Sequence, residues 1–311
     1  RFERTHGTSP FAAQPNVRCT PSAGEEIRQR NIRYMNILKI SSENAEYQII
    51  ESLKTNRTKR SKHKEIFIEG IESIKQAVLA NIELTRIITV DMNKVSGWAK
   101  QLISNCNSSK IIEMSDLLYK KLCDREEPTE IVVTAKINPI TLDKIVFSKK
   151  PFVLIFDRPS DHGNFGSIIR SANSFNVDAI FVIGHGIDYY DPKVIRSSLG
   201  SVFHSQIVNI ESMDHLNNWI SDQKVKNNIQ IVGTDSTGTV SLMTNKLKTP
   251  IALILGNEAK GMSVGLKEVC DFITKIPISG NVNSLNVSCA GSIFLWDIYQ
   301  NSNDHLTTAS T

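Results

Sequence analysis

Cysteine is scarce in this 311-residue sequence, and what there is forms no pattern. The five residues, Cys19, Cys106, Cys123, Cys270 and Cys289, include no C-x-x-C pair, and their number is odd. A zinc site and a disulfide framework are therefore disfavoured, and a reducing cytoplasm is the expected setting. The seven histidines are scattered and make no H-E-x-x-H, so no metal is expected. No G-x-G-x-x-G follows a strand-like run, which disfavours a Rossmann dinucleotide site and a Rossmann-type methyltransferase. G-x-x-x-x-G-K-[ST] and G-x-S-x-G are missing too. No apolar run approaches the ~20 residues of a membrane helix. Charge is nearly balanced: 36 Lys and Arg against 32 Asp and Glu leave +4, a mild bias toward a polyanionic partner. The hydrophobic share of 40% and charged share of 22% are those of a soluble globular protein, long enough for one large domain or two ordinary ones.

Residues 1–34 lack sustained apolar periodicity and a hydrophobic signal core, and Met35 opens a stretch that reads like a natural start. They are expected to be an appended or variable leader. Their arginines suit a transit peptide, but Glu3, Glu25 and Glu26 count against one.

From Ser42 the chain alternates. A helix to Leu53 is followed by "KTNRTKRSKHKE" (54–65), with six Lys or Arg and one acid. Strand-like 66–70, 84–90, 110–114 and 130–137 then alternate with helical 71–82, 96–106 and 115–124. Ser115 is a candidate N-cap for the last of these helices. This reads as a small α/β domain over 35–137. Residues 138–150 look like a linker. The second region, 151–303, carries strand-like runs at 152–157, 178–184, 205–210, 229–235, 251–256 and 272–278. Most are continuously apolar, as in strands covered on both faces, so a largely parallel sheet is expected. Residues 304–311 are a tail.

Ligands of open α/β sheets bind beyond the carboxyl ends of strands. After strand 152–157, Gly163 and Gly166 bracket Asn164 in an expected loop, with Arg170 on the first turns of the following helix. This is either an ordinary connection with a solvent-facing arginine or a polyanion-binding loop. After 251–256, Gly256, Asn257, Glu258 and Gly261 form either a capped turn or a ligand platform. After 272–278 comes "NSLNVSCAGSIFLWDIYQ" (283–300). Ser284 or Asn283 would cap a helix starting near Ser284. Asn286 and Ser288 would then lie inside it, where such residues are unfavourable and need another reason.

Together these stretches resemble the three motifs of the SpoU (TrmH) branch of the SPOUT RNA methyltransferases. Asn164, Gly166 and Arg170 match the first, Gly256, Glu258 and Gly261 the second, and Pro277 with Ser284 to Ser288 the third. The match covers about 150–300, and "DPKVIRSSLGSVF" (191–203) also looks like family sequence. The resemblance implies an α/β fold with a parallel sheet and a C-terminal deep trefoil knot, plus a smaller N-terminal α/β domain that binds RNA. It implies a homodimer that uses S-adenosylmethionine to methylate a ribose 2′-hydroxyl, with ribosomal RNA (23S) favoured over transfer RNA and antibiotic resistance as one known use. A catalytically inactive RNA-binding relative is the competing class. Carried over by position, Leu255, Gly256, Ile276, Ile278, Leu285 and Asn286 would hold the cofactor. Asn164, Arg170, Glu258, Ser284 and Asn286 would line the reaction centre. Arg57, Lys59, Arg60, Lys62 and Lys64 would contact RNA phosphates. The family assigns the counterpart of Arg170 as a base. A guanidinium stays protonated, so stabilising the developing alkoxide suits it better. Glu258 is expected to brace a loop rather than react. Ile293 to Tyr299 would serve the core or a dimer interface.

Overall fold

A computed structural model describes residues 37–106, 109–124, 127–282 and 284–302. The expected leader 1–34 and tail 304–311 lie outside them. Among the described residues no helix is long and apolar enough to cross a membrane.

The first sheet is built from β1 (Ile37–Ile40), β2 (Glu65–Glu69), β3 (Leu84–Thr89), β4 (Lys110–Met114) and β5 (Ile131–Lys136). Their order is β1-β4-β3-β5-β2. β1 and β3 run parallel to β4, while β5 is antiparallel to both β3 and β2. Its helices are α1 (Ala45–Thr55), α2 (Arg57–His63), α3 (Ile71–Leu79), α4 (Gly97–Asn105) and α5 (Asp116–Leu122). β1 was not anticipated, and neither was α2. Asn56 ends α1 and caps α2 with its side chain, accepting from the Lys59 N–H at 3.1 Å. Most of the basic stretch therefore forms a short helix.

The second sheet holds β6 (Phe152–Asp157), β7 (Ala179–Ile183), β8 (Ile207–Ile210), β9 (Gln230–Thr234), β10 (Val240–Ser241), β11 (Ile251–Leu255) and β12 (Phe272–Lys275). The order is β10-β12-β9-β11-β6-β7-β8, and every pairing is parallel. β6 and β11 are buried throughout, which explains their unbroken apolar sequences: both faces are covered. Each large apolar side chain so buried contributes roughly 1.5–3 kcal/mol. The helices are α6 (His162–Ser174), α7 (Pro192–Ser197), α8 (Met213–Asn227), α9 (Val264–Glu268) and α10 (Val287–Ser302). From β6 the chain moves outward through β7 to β8, and the later strands lie on the other side of β6. The β6/β11 boundary is thus where the winding reverses, the place where such sheets open a crevice.

The expected linker is not loose. Ile140, Leu142, Ile145 and Phe147 pack on the core that contains Phe181 and Trp219. Contacts also join the two sheets' neighbourhoods. Arg60 lies only 3% exposed, with Nε 2.9 Å from Asp188 and Nη2 3.4 Å from Asp191. Arg196 Nη1 reaches the buried Glu69 at 2.8 Å.

Candidate active site

Strand β6 ends on the buried Asp157, where three donors meet. Arg158 Nε and Nη2 lie 2.7 and 2.8 Å from its two oxygens, and the Ser263 N–H donates at 2.7 Å. The hydrogen bonds that Arg158 donates to Asp157 raise its pKa, against the effect of burial. Arg158 sits in the left-handed region at φ 47°. Its N–H donates to the Ile183 carbonyl at 2.9 Å, and its own carbonyl accepts from Asn257 Nδ2 at 2.7 Å. The sequence reading passed over Arg158, though a charged pair at the end of an apolar strand was its visible signal.

Glu258 braces the same place from the other side. Its carboxylate accepts from the Ser160 hydroxyl at 2.6 Å, the Ser160 N–H at 3.1 Å and the Asp161 N–H at 3.2 Å. The turn that carries it closes through paired backbone bonds between Asn257 and Gly261. A side chain on Gly256 would meet the Met262 nitrogen at 2.5 Å, so the turn requires glycine there.

Asp161 caps α6 by accepting from the Asn164 N–H at 2.7 Å. That cap starts the helix at His162, so Asn164 and Gly166 are helical rather than part of a loop, and Arg170 falls on the third turn. Gly166 faces α7, where an added Cβ would collide with Ser197. Arg170 is exposed, and among the described residues its guanidinium has no hydrogen-bond or ion-pair partner.

The last segment also differs from expectation. β12 ends at Lys275, and Ile276 to Val282 and Ser284 to Asn286 belong to no helix or strand before α10. The helix begins at Val287, three residues later than expected. Its N-cap is Asn286, whose Oδ1 accepts from the N–H groups of Ser288 at 2.8 Å and Cys289 at 3.4 Å. Asn283, the other proposed cap, lies outside the described residues. Asn286 Nδ2 in turn donates to Asn164 Oδ1 at 2.9 Å, joining the first and third stretches. Ser284 and Leu285 lie ahead of the helix and are exposed. Gly291 lets α10 settle on the sheet, since a side chain there would strike Ile168 and Leu255. Ser171 and Ser292 meet at 2.7 Å along the same contact.

A cavity of about 270 Å³ lies between these loops. Gly256, Ile276, Ile278 and Leu285 line it, as do Glu258 and Ser284. Asn164, Leu255, Asn286 and Arg170 do not. Leu255 is buried behind the wall, and the two asparagines pair beside it. The loop after β9 contributes Thr234, Asp235 and Ser236, which the sequence reading missed. Their signal in the sequence is the polar end of the strand-like run "IQIVGTD" (229–235). Asp235 is held ionised. Burial raises its pKa, but the Thr237 N–H and hydroxyl at 3.0 and 2.8 Å, with Lys267 at 3.2 Å, bring it below the ordinary value.

Of the residues expected to meet RNA, Arg57, Lys59, Lys62 and Lys64 are exposed on or beside α2. Arg60 is not. Its guanidinium is spent on two aspartates and on the carbonyls of Leu53 and Lys54, each at 3.1 Å, so it cannot also reach a phosphate.

The SpoU rRNA methylase family profile matches residues 151–296, and the SpoU L30e-like domain matches 44–134. A 23S rRNA (uridine(2479)-2′-O)-methyltransferase of Streptomyces viridochromogenes is 32% identical over 271 residues, covering 87% of this chain and 94% of the relative.

The chain belongs to the SpoU rRNA methylase family.

Solved structures agree. AviRb, the SpoU methyltransferase of Streptomyces viridochromogenes, in complex with S-adenosylmethionine, superimposes with a TM-score of 0.77 at 31% identity over 83% of this chain and 98% of that one. An RNA 2′-O ribose methyltransferase gives 0.70 at 26% identity, over 84% and 97%. A putative TrmH family tRNA/rRNA methyltransferase of Staphylococcus saprophyticus is 28% identical over 77% of this chain and 97% of its own length. The SpoU cofactor is S-adenosylmethionine, and the cavity has the chemistry to take it. Apolar walls at Ile276, Ile278, Leu285 and Phe294 suit a purine. Two carboxylates, with no Lys, Arg or His among the described lining residues, suit a cationic ligand.

Proposed function

We propose that this protein transfers a methyl group from S-adenosylmethionine to a ribose 2′-hydroxyl of 23S ribosomal RNA. The reading is carried by one cavity beside the β6/β11 reversal that the second and third motif stretches line, with the first stretch joined to it through the Asn286–Asn164 contact. The 32% identical relative, with its 23S rRNA activity, supports the substrate. The bound cofactor supplies a methyl group already activated on a sulfonium, so the protein's task is alignment.

Backbone groups of Gly256, Ile276, Ile278 and Leu285 hold the cofactor, with Leu255 and Asn286 supporting that wall from behind and beside it. Glu258 fixes the loop ahead of α6, and the Asn286–Asn164 contact fixes α10 against that helix. Ser284 offers a hydroxyl at the cavity wall. Arg170, exposed and uncommitted, binds the phosphate next to the target ribose and stabilises the alkoxide as the hydroxyl loses its proton. Residues 35–137 present RNA through Arg57, Lys59, Lys62 and Lys64, and residues 151–303 perform the transfer. As in the family, the C-terminal part is knotted and two chains pair. The exposed Ile293 and the 49% exposed Trp296 on α10 suit such an interface. The work is done in the cytoplasm, where ribosomal RNA is assembled. Transfer of tritium from labelled S-adenosylmethionine to purified 23S rRNA tests the reading. Label on the RNA with wild type and none with Arg170→Ala is expected, and an unlabelled RNA with wild type would overturn it.

A further inference from the structure

The cofactor cavity contains two carboxylates, and they differ in what surrounds them. Glu258 has three donors from the Ser160–Asp161 backbone and hydroxyl, and its charge is spent on that loop. Asp235 divides its oxygens. Oδ1 takes both Thr237 donors and so fixes the side chain's direction. Oδ2 takes no N–H or hydroxyl from the loop. It faces the Lys267 ammonium at 3.2 Å, on a side chain that is 43% exposed and does not line the cavity. The same oxygen lies 4.0 Å from where a side chain on Gly261 would begin, so it points along the turn that carries Glu258.

We infer that Asp235 is the residue that recognises the cofactor's positive charge. The inference rests on the cavity being the S-adenosylmethionine site. A carboxylate fixed by one oxygen, with the other shared only with the partly exposed Lys267, in a cavity walled mainly by apolar side chains, favours a cation over a neutral thioether of the same shape. Lys267 competes for that oxygen from outside and tempers the preference. Asp235 is a positioning residue by this account: it sets where the charged part of the ligand sits, and Arg170 acts on the ribose.

Calorimetry on the full chain tests this with three ligands. S-adenosylmethionine carries a sulfonium and an ammonium, S-adenosylhomocysteine only the ammonium, and methylthioadenosine neither. Asp235→Asn keeps the acceptor for Thr237 and removes the charge. It is expected to weaken S-adenosylmethionine roughly tenfold relative to methylthioadenosine. A parallel loss for S-adenosylhomocysteine identifies the ammonium as the recognised group; an unchanged S-adenosylhomocysteine identifies the sulfonium. Lys267→Gln should move the same ratio the other way. Equal weakening of all three ligands by Asp235→Asn, or no change in any, would overturn the inference. If wild type binds none of the three, the cofactor reading of the cavity fails instead.

Discussion

At the scale of single residues, Asn286 shows how one side chain does two tasks. Its carbonyl oxygen caps α10, and its amide nitrogen holds Asn164. The two tasks are separable. Asn286→Asp keeps a capping oxygen but loses the donor to Asn164, so stability should hold while methylation falls. Asn286→Ala should lose about 1 kcal/mol of stability as well. Thermal melts and methyl transfer measured on both variants check this. Arg170→Ala should reduce turnover by at least ~100-fold with cofactor affinity kept within about twofold, read by single-turnover assay and calorimetry. Lost affinity with normal turnover at saturation would reassign it. Asp235 adds a pH signature. Its pKa is depressed in the fold, so its charge-dependent contribution is complete above the ordinary value of 3.8 and is lost only as pH falls through the lower, folded one. The preference for S-adenosylmethionine over methylthioadenosine attributable to Asp235 should be flat between about pH 8 and pH 5.

Elements were legible to different degrees. The buried parallel strands were plain in the sequence because covering both faces makes them continuously apolar. Helix starts were less plain, since Asp161, Ser284 and Asn286 are all good caps, and only the tertiary position of each loop decides which is used. Asn286 was placed inside a helix for that reason, and the puzzle of a polar interior dissolves once it is the cap. The basic run 54–64 illustrates the opposite limit. Composition cannot separate Arg60, which packs against Asp188 and Asp191, from its exposed neighbours, because the partners lie some 130 residues away along the chain. Substitution separates them: Arg60→Ala strands two aspartates and should cost about 3–5 kcal/mol in denaturant unfolding. Lys59→Ala should leave unfolding unchanged, weaken RNA binding, and flatten its logarithmic salt dependence by roughly 0.7–0.9. On α10, Gly291→Ala should cost about 1–3 kcal/mol by pushing Ile168 and Leu255 off their positions.

For the whole molecule, the strand order explains why residues more than 100 apart in sequence form one site. β6 and β11 lie side by side with Leu255 opposite Phe156, so the loops that follow them emerge together. The loops after β9 and β12 close the remaining sides. The motif order suggested this convergence, but the contribution of the β9 loop needed the sheet. The family assignment accounts for the chemistry. Helix α2 is tied to segment 186–191 by Arg57 and Arg60, and β2 is tied to α7 by the Glu69–Arg196 pair. The central claim is methyl transfer to a ribose oxygen. Its most direct test is nucleotide-resolution mapping of 2′-O-methyl groups in 23S rRNA treated with this protein and S-adenosylmethionine, beside the Arg170→Ala protein. A new alkali-resistant 2′-O-methyl position, present with wild type and missing with the variant, is the predicted result. A methyl group on a base, or no new methyl on the RNA, would contradict the claim.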